Sequence, residues 1–162
     1  MAHPQGGHKN PTLFRARLES QVGFVRRSDL MYAVGRREWG VVLRIARKRS
    51  DTGYYHVVNR GNNRQEIFGD DADRLKFLDL LDRGRREFGL RIIAWCLMGN
   101  HVHLLLDDAE GRLSAFMHKV LGGYAFYLNA RRGHGGHLFQ GRFFSDPVEY
   151  DDRLLEGVRY IL

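Results

Sequence analysis

The chain has a single cysteine, Cys96, among its 162 residues. No disulfide can form within it, and a thiol set in the apolar run Trp95-Cys96-Leu97-Met98 reads as a core residue rather than a nucleophile. That usage fits a reducing cytoplasm. No stretch approaches the roughly 18 consecutive apolar residues that span a bilayer. The start, Met1-Ala2-His3-Pro4-Gln5-Gly6-Gly7, has no apolar signal region. Nothing therefore points to a membrane. There is no Gly-x-Ser-x-Gly, no Gly-x-x-x-x-Gly-Lys phosphate loop and no Cys–His pair, so the common hydrolase and nucleotidase signatures are missing. No internal repeat is visible.

Positive charge is abundant, but it is unevenly placed. The net charge is +7 and the isoelectric point about 9.9. Residues 1–45 hold eight Lys/Arg against three Asp/Glu, and residues 46–50 add three more cations. Residues 51–162 hold fifteen basic against sixteen acidic side chains. Attraction for a polyanion, if exerted by the folded part, must come from local patches. Residues 1–45 scatter Gly, Arg and His without a sustained period and read as a poorly ordered basic extension, with a DNA-binding arm as the alternative. An apolar fraction of 43% over this length is enough for one domain with a real core.

From Gly53 the pattern sharpens. Tyr54-Tyr55-His56-Val57-Val58-Asn59-Arg60 is rich in β formers and predicts a first strand. Gly61-Asn62-Asn63-Arg64-Gln65 is a polar turn. Asp70 or Asp71 caps a helix that runs to about Phe88 and stops at Gly89. Leu90 to Met98 is apolar on both faces and predicts a central strand. Gly99-Asn100 suits the positive-φ positions of a two-residue hairpin, and His101 opens the returning strand.

On that strand Val102, Leu104 and Leu106 share one face and can pack on helices. His101 and His103 share the other face, expected to be the unpacked one. Two imidazoles side by side can hold a cation, and two exposed or hydrogen-bonded histidines are the plainer alternative. An acidic loop (Asp107, Asp108, Glu110, Gly111) precedes a second helix from about Leu113 to Arg131. His137 to Ser145 reads as a loop entering a strand, and Asp151 caps a last helix reaching Leu162. Strand, helix, two-stranded hairpin, helix, strand, helix is an α+β order. Its simplest packing is the ferredoxin-like split βαβ layout, an antiparallel sheet with helices on one face and the His-x-His pair on the other.

A tyrosine oxygen can form a covalent intermediate, and three tyrosines fall on predicted helices. Tyr124 and Tyr127 lie within the apolar stripe of the second helix and read as core. Tyr160 lies roughly 160–200° from the stripe of the last helix, on the face of Arg153 and Glu156. It is either a surface accident or a working residue.

Four separated blocks carry a more specific signal. They are Tyr55-His56-Val57-Val58-Asn59-Arg60-Gly61-Asn62, Trp95 to Leu105, Gly136-His137-Leu138-Phe139-Gln140-Gly141-Arg142-Phe143 and Val158-Arg159-Tyr160-Ile161. In this order they resemble the single-tyrosine HUH transposases, in particular the IS200-like and REP-associated tyrosine transposases, over about Ala46 to Leu162. The resemblance implies a nuclease domain over 46–162 that cleaves and rejoins single-stranded DNA, often at the foot of a hairpin, through a 5′-phosphotyrosine. It makes Tyr160 the nucleophile and His101 and His103 the ligands of Mg²⁺ or Mn²⁺. These blocks and the residues flanking them offer the DNA-contacting set Arg60, Asn62, Arg64, Phe139, Gln140 and Arg142, with Tyr54, Phe143 and Phe144 as further stacking candidates.

The resemblance also implies a bacterial, cytoplasmic, nucleoid-associated protein acting as monomer or homodimer. Residues 1–45 have no counterpart in the family pattern. That pattern continues beyond the tyrosine, with an Asn or Gln one turn later completing the metal site, whereas this sequence ends at Leu162. The nuclease domain is therefore expected to be incomplete at its C-terminus. A hairpin-DNA-binding remnant without chemistry is the competing expectation, and a His-rich metal hydrolase of another kind is a weaker one.

Overall fold

The alternation read from the sequence becomes a four-stranded sheet in the computed structural model, which describes residues 47–133 and 135–148. The basic extension 1–45, the expected last helix from Asp151 and Tyr160 lie outside the described residues. The elements are β1 (Tyr54–Arg60), α1 (Asp71–Phe88), β2 (Arg91–Met98), β3 (His101–Asp107), α2 (Leu113–Arg132) and β4 (Phe144–Pro147). The strand order is β2-β3-β1-β4, and each of the three pairings is antiparallel. With a helix linking β1 to β2 and another linking β3 to β4, this is the ferredoxin-like split βαβ arrangement.

Period-two burial decides which face each side chain takes. Tyr55, Val57, Val102, Leu104 and Leu106 face the helices and are buried with Phe77, Leu81, Phe116, Met117, Val120, Tyr124 and Leu128. The Phe68, Phe77 and Tyr124 rings meet edge-on or tilted at 5.0 to 5.5 Å, and the Tyr124 hydroxyl donates to the Ile67 carbonyl at 2.5 Å. Burying that hydroxyl without a partner would be costly, so the bond fixes the segment before α1 onto α2.

Helix ends follow their side chains. Asp70 caps α1 by accepting from the Asp73 N–H at 3.0 Å, and Gly89 ends it in the left-handed region at φ 72°. Buried Asp108 accepts from the N–H groups of Arg112 and Leu113 at 2.8 and 2.7 Å. A carboxylate there satisfies orphan donors and complements the positive helix end.

Three expectations need correction. β2 is an edge strand, and β1 and β3 are the central ones. Its doubly apolar pattern has another cause: Ala94 and Leu105 form a second small buried cluster, with Ile93, Cys96 and Val148, on the face away from the helices. The histidine face is for that reason partly packed, and His103 is only 4% exposed. Finally, neither Gly99 nor Asn100 has a positive φ. The turn is held from outside instead. The Gly99 carbonyl accepts from the N–H groups of Ile67 and Phe68 at 2.7 and 3.0 Å, and the Asn100 carbonyl accepts from Gly61 at 2.9 Å.

Candidate functional site

Strand register determines what surrounds the two histidines. His101 lies opposite Arg60 on one side and Met98 on the other; His103 lies opposite Val58 and Cys96. The next row along the same face is Ala94, Leu105, His56 and Asp146. His56 is thus the diagonal neighbour of His103, within reach of a ring on the same face. Cys96 sits beside this cluster, but burial pushes its thiol pKa up, so it is no ready thiolate.

The expected pair is brought together. The His101 and His103 ring centroids are 5.0 Å apart and the planes cross at 69°. His101 Nδ1 lies 2.6 Å from Asn100 Oδ1. The Asn100 amide nitrogen donates to the Arg64 carbonyl at 3.4 Å, which orients its oxygen towards the ring. That oxygen can only accept, so His101 carries its proton on Nδ1 and its lone pair on Nε2. His103 Nδ1 is hydrogen-bonded to His56 Nε2 at 3.1 Å, and these two rings stack at 5.3 Å and 18°.

Burial keeps the imidazoles neutral. Desolvation, followed by the charges of His56 and His101, pushes the His103 pKa down to about 3. Desolvation and then Arg60 lower that of His101. For His56 desolvation also wins, against an opposing pull from Asp146. Neutral imidazole is the form that binds metal, and nitrogen donors suit Mn²⁺, Zn²⁺ and other transition ions. The donor set therefore fits a divalent cation held by two imidazoles. Among the described residues no group of three or more His, Cys, Asp and Glu could hold a metal.

The polar turn after β1 adjoins this pair. Gly61 bridges to Phe139, Asn62 N–H donates to the Leu138 carbonyl at 2.8 Å, and Gln140 N–H donates to the Arg60 carbonyl at 2.9 Å. Arg60 Nε donates to Gln140 Oε1 at 3.0 Å. Arg60, Asn62, Phe139 and Gln140 therefore form one patch beside His101. Asn63 and Arg64 have φ of 49° and 59°, two successive non-glycine residues in the left-handed region. Such backbone is strained, and it puts Arg64 on an exposed tip.

Arg142 is exposed, and its charge is felt at Arg47, whose guanidinium lies 3.8 Å over the Phe143 ring. Phe143 belongs to the core, and Phe139 packs against it. Phe144, opposite Val58, is 38% exposed on the histidine side. Tyr160 lies outside the described residues, so its distance from the pair is not part of this geometry.

Sequence reasoning missed His56, Asn100 and Asp146 as members of the site. His56 alternates with Tyr55 and Val57, a pattern that puts it on the outer face. Only the pairing of β1 with β3 and β4 reveals its neighbours.

Residues 50–162 match the family model described as "Transposase IS200 like". Among solved structures, the chain resembles a REP-associated tyrosine transposase bound to a REP hairpin, with a TM-score of 0.59 and 16% identity over 74% of this chain and 70% of that one. A candidate transposase from Deinococcus radiodurans R1 aligns at a TM-score of 0.49 and 19% identity, over 72% of this chain and 93% of that one. No curated protein matches. The match spans more than two thirds of the sequence and contains the His101–His103 hairpin and the turn beside it, so the chain belongs to the IS200-like transposase family.

Proposed function

We propose that this protein cleaves and rejoins single-stranded DNA at hairpin-flanked sites, with Tyr160 as nucleophile and with His101 and His103 holding Mg²⁺ or Mn²⁺. The observation that carries the reading is the tethered pair. Two neutral imidazoles stand side by side, each with Nδ1 in a hydrogen bond, next to a basic turn. Family membership, and a similarly folded neighbour bound to a REP hairpin, support DNA as the partner.

When bound, a divalent cation supplies Lewis-acid and templating chemistry at the scissile phosphate. The chain's own residues do the rest. Tyr160 Oη forms a bond to phosphorus while the bond to the 3′-oxygen breaks. The phenolic proton passes to solvent, and the 3′-oxygen takes up a proton and leaves as a hydroxyl. The 5′-phosphotyrosine that results is itself a phosphodiester, so attack by a new 3′-hydroxyl rejoins DNA without ATP. A phenol has a reference pKa near about 10 and is a poor nucleophile alone, which is why the cation is needed. Arg60, Asn62, Arg64, Gln140 and Arg142 contact phosphates and base edges, and Phe139 supports the turn from beneath.

Incubation with Mn²⁺ and end-labelled hairpin-bearing single-stranded DNA tests this. A covalent adduct should form and should vanish in Tyr160→Phe, His101→Ala and His103→Ala. Hairpin binding without any adduct would instead identify a DNA-binding remnant.

A further inference from the structure

We infer that His56 is a positioning residue for the metal site: it accepts a hydrogen bond from His103 Nδ1–H, fixing the tautomer and orientation in which His103 presents Nε2 to a cation. The inference rests on the proposed cation site, but its first observable does not need the cation.

The geometry comes from the sheet. His56 Nε2 lies 3.1 Å from His103 Nδ1, and the rings stack at 18°. A hydrogen bond between two neutral imidazoles has one donor, and the tautomers decide which. Asp146 lies directly opposite His56 on β4, and its negative charge acts on that imidazole. His103 Nδ1 is taken up by the contact with His56, so Nε2 is the nitrogen that His103 can offer a cation. A neutral imidazole that offers Nε2 carries its proton on Nδ1, and Nε2 of His56 is then the acceptor. Asn100 does the same for His101 from the other end of the hairpin.

Both rings thereby present Nε2, the arrangement in which a metal-bound histidine hands its other N–H to an orienting partner. His56 is not itself a ligand in this arrangement, since its Nε2 is committed to His103.

The test uses the full chain and two readouts. Nitrogen-15 NMR of the histidine rings, without metal, should show His103 protonated at Nδ1 in the parent protein. In His56→Phe, which keeps a stacked ring and removes the acceptor, that preference should be lost. His56→Gln, whose amide oxygen can accept, should restore it in part. Mn²⁺ titration followed by electron paramagnetic resonance should then show binding weakened by about 10- to 100-fold in His56→Phe, and by less in His56→Gln. Thermal unfolding of both variants confirms that they are folded.

The inference is overturned if His103 carries its proton on Nε2 in the parent protein. Unchanged tautomer and Mn²⁺ affinity in His56→Phe, alongside loss of binding in His103→Ala, would overturn it too while leaving the cation site standing. Mn²⁺ binding that is equal in the parent and in His103→Ala would instead sink the cation site, and this role with it.

Discussion

Mild acid should destabilise this protein more than an ordinary domain, and His103 should be a main cause. Its ring is 4% exposed and its pKa is pushed down to about 3 by desolvation and by two neighbouring imidazoles. In the unfolded chain the same side chain titrates near about 6.5. Below that pH the unfolded state takes up a proton that the folded state refuses, so stability falls as pH falls from about 6.5 towards 3. At pH 5 the difference spans roughly 1.5 units, which at about 1.36 kcal/mol per unit is a loss of about 2 kcal/mol from this group. His56 and His101 are lowered as well and act in the same direction.

Urea unfolding at pH 7 and pH 5 measures the loss directly. His103→Gln removes the titrating group and relieves both neighbours, so the pH-dependent loss should shrink by about 1–2 kcal/mol whatever the variant's absolute stability. Carboxylates common to both proteins cancel in that comparison. Parallel losses in the parent and in His103→Gln would mean that the ring is protonated as readily inside the fold as outside it, against this expectation.

Other consequences are more local. In Gly61→Ala a Cβ would lie 2.2 Å from the Gln65 carbonyl oxygen and 3.0 Å from Ile67 Cγ2, so the turn must open; thermal unfolding should report a loss of about 1–3 kcal/mol, and hairpin binding should weaken with it. Arg142→Ala should weaken hairpin-DNA binding across sequences and lower the slope of log affinity against log salt by about 1, read by fluorescence anisotropy at several salt concentrations. Tyr124→Phe removes the buried hydrogen bond to Ile67 and should cost about 1–2 kcal/mol in urea unfolding, with no change in DNA affinity.

Local chemistry was legible in the sequence, and long-range pairing was not. Asp70 as a cap, Gly89 as a stop and the placing of Val102, Leu104 and Leu106 on the core face all follow from rules acting within a few residues. The edge position of β2 is hidden in the sequence because a doubly apolar strand is the usual mark of a centre. Here the second apolar face is a small cluster around Ala94 and Leu105. Gly99-Asn100 marks the turn, but distant N–H groups, not a left-handed backbone, hold it. His101 and His103 announce themselves by their spacing. Their partners sit on different terms, since Asn100 is adjacent in sequence but His56 is 47 residues away from His103 and is placed only by register.

In the proposed reaction Tyr160 attacks DNA beside a cation at His101 and His103. Mass spectrometry of proteolysed protein after reaction with Mn²⁺ and a hairpin-bearing single strand locates the attacking atom. A peptide carrying a nucleotide 5′-phosphate on Tyr160 is expected, absent when Mn²⁺ is withheld or when either histidine is alanine. An adduct mapped to another residue, or one formed equally well without His101 and His103, would contradict it.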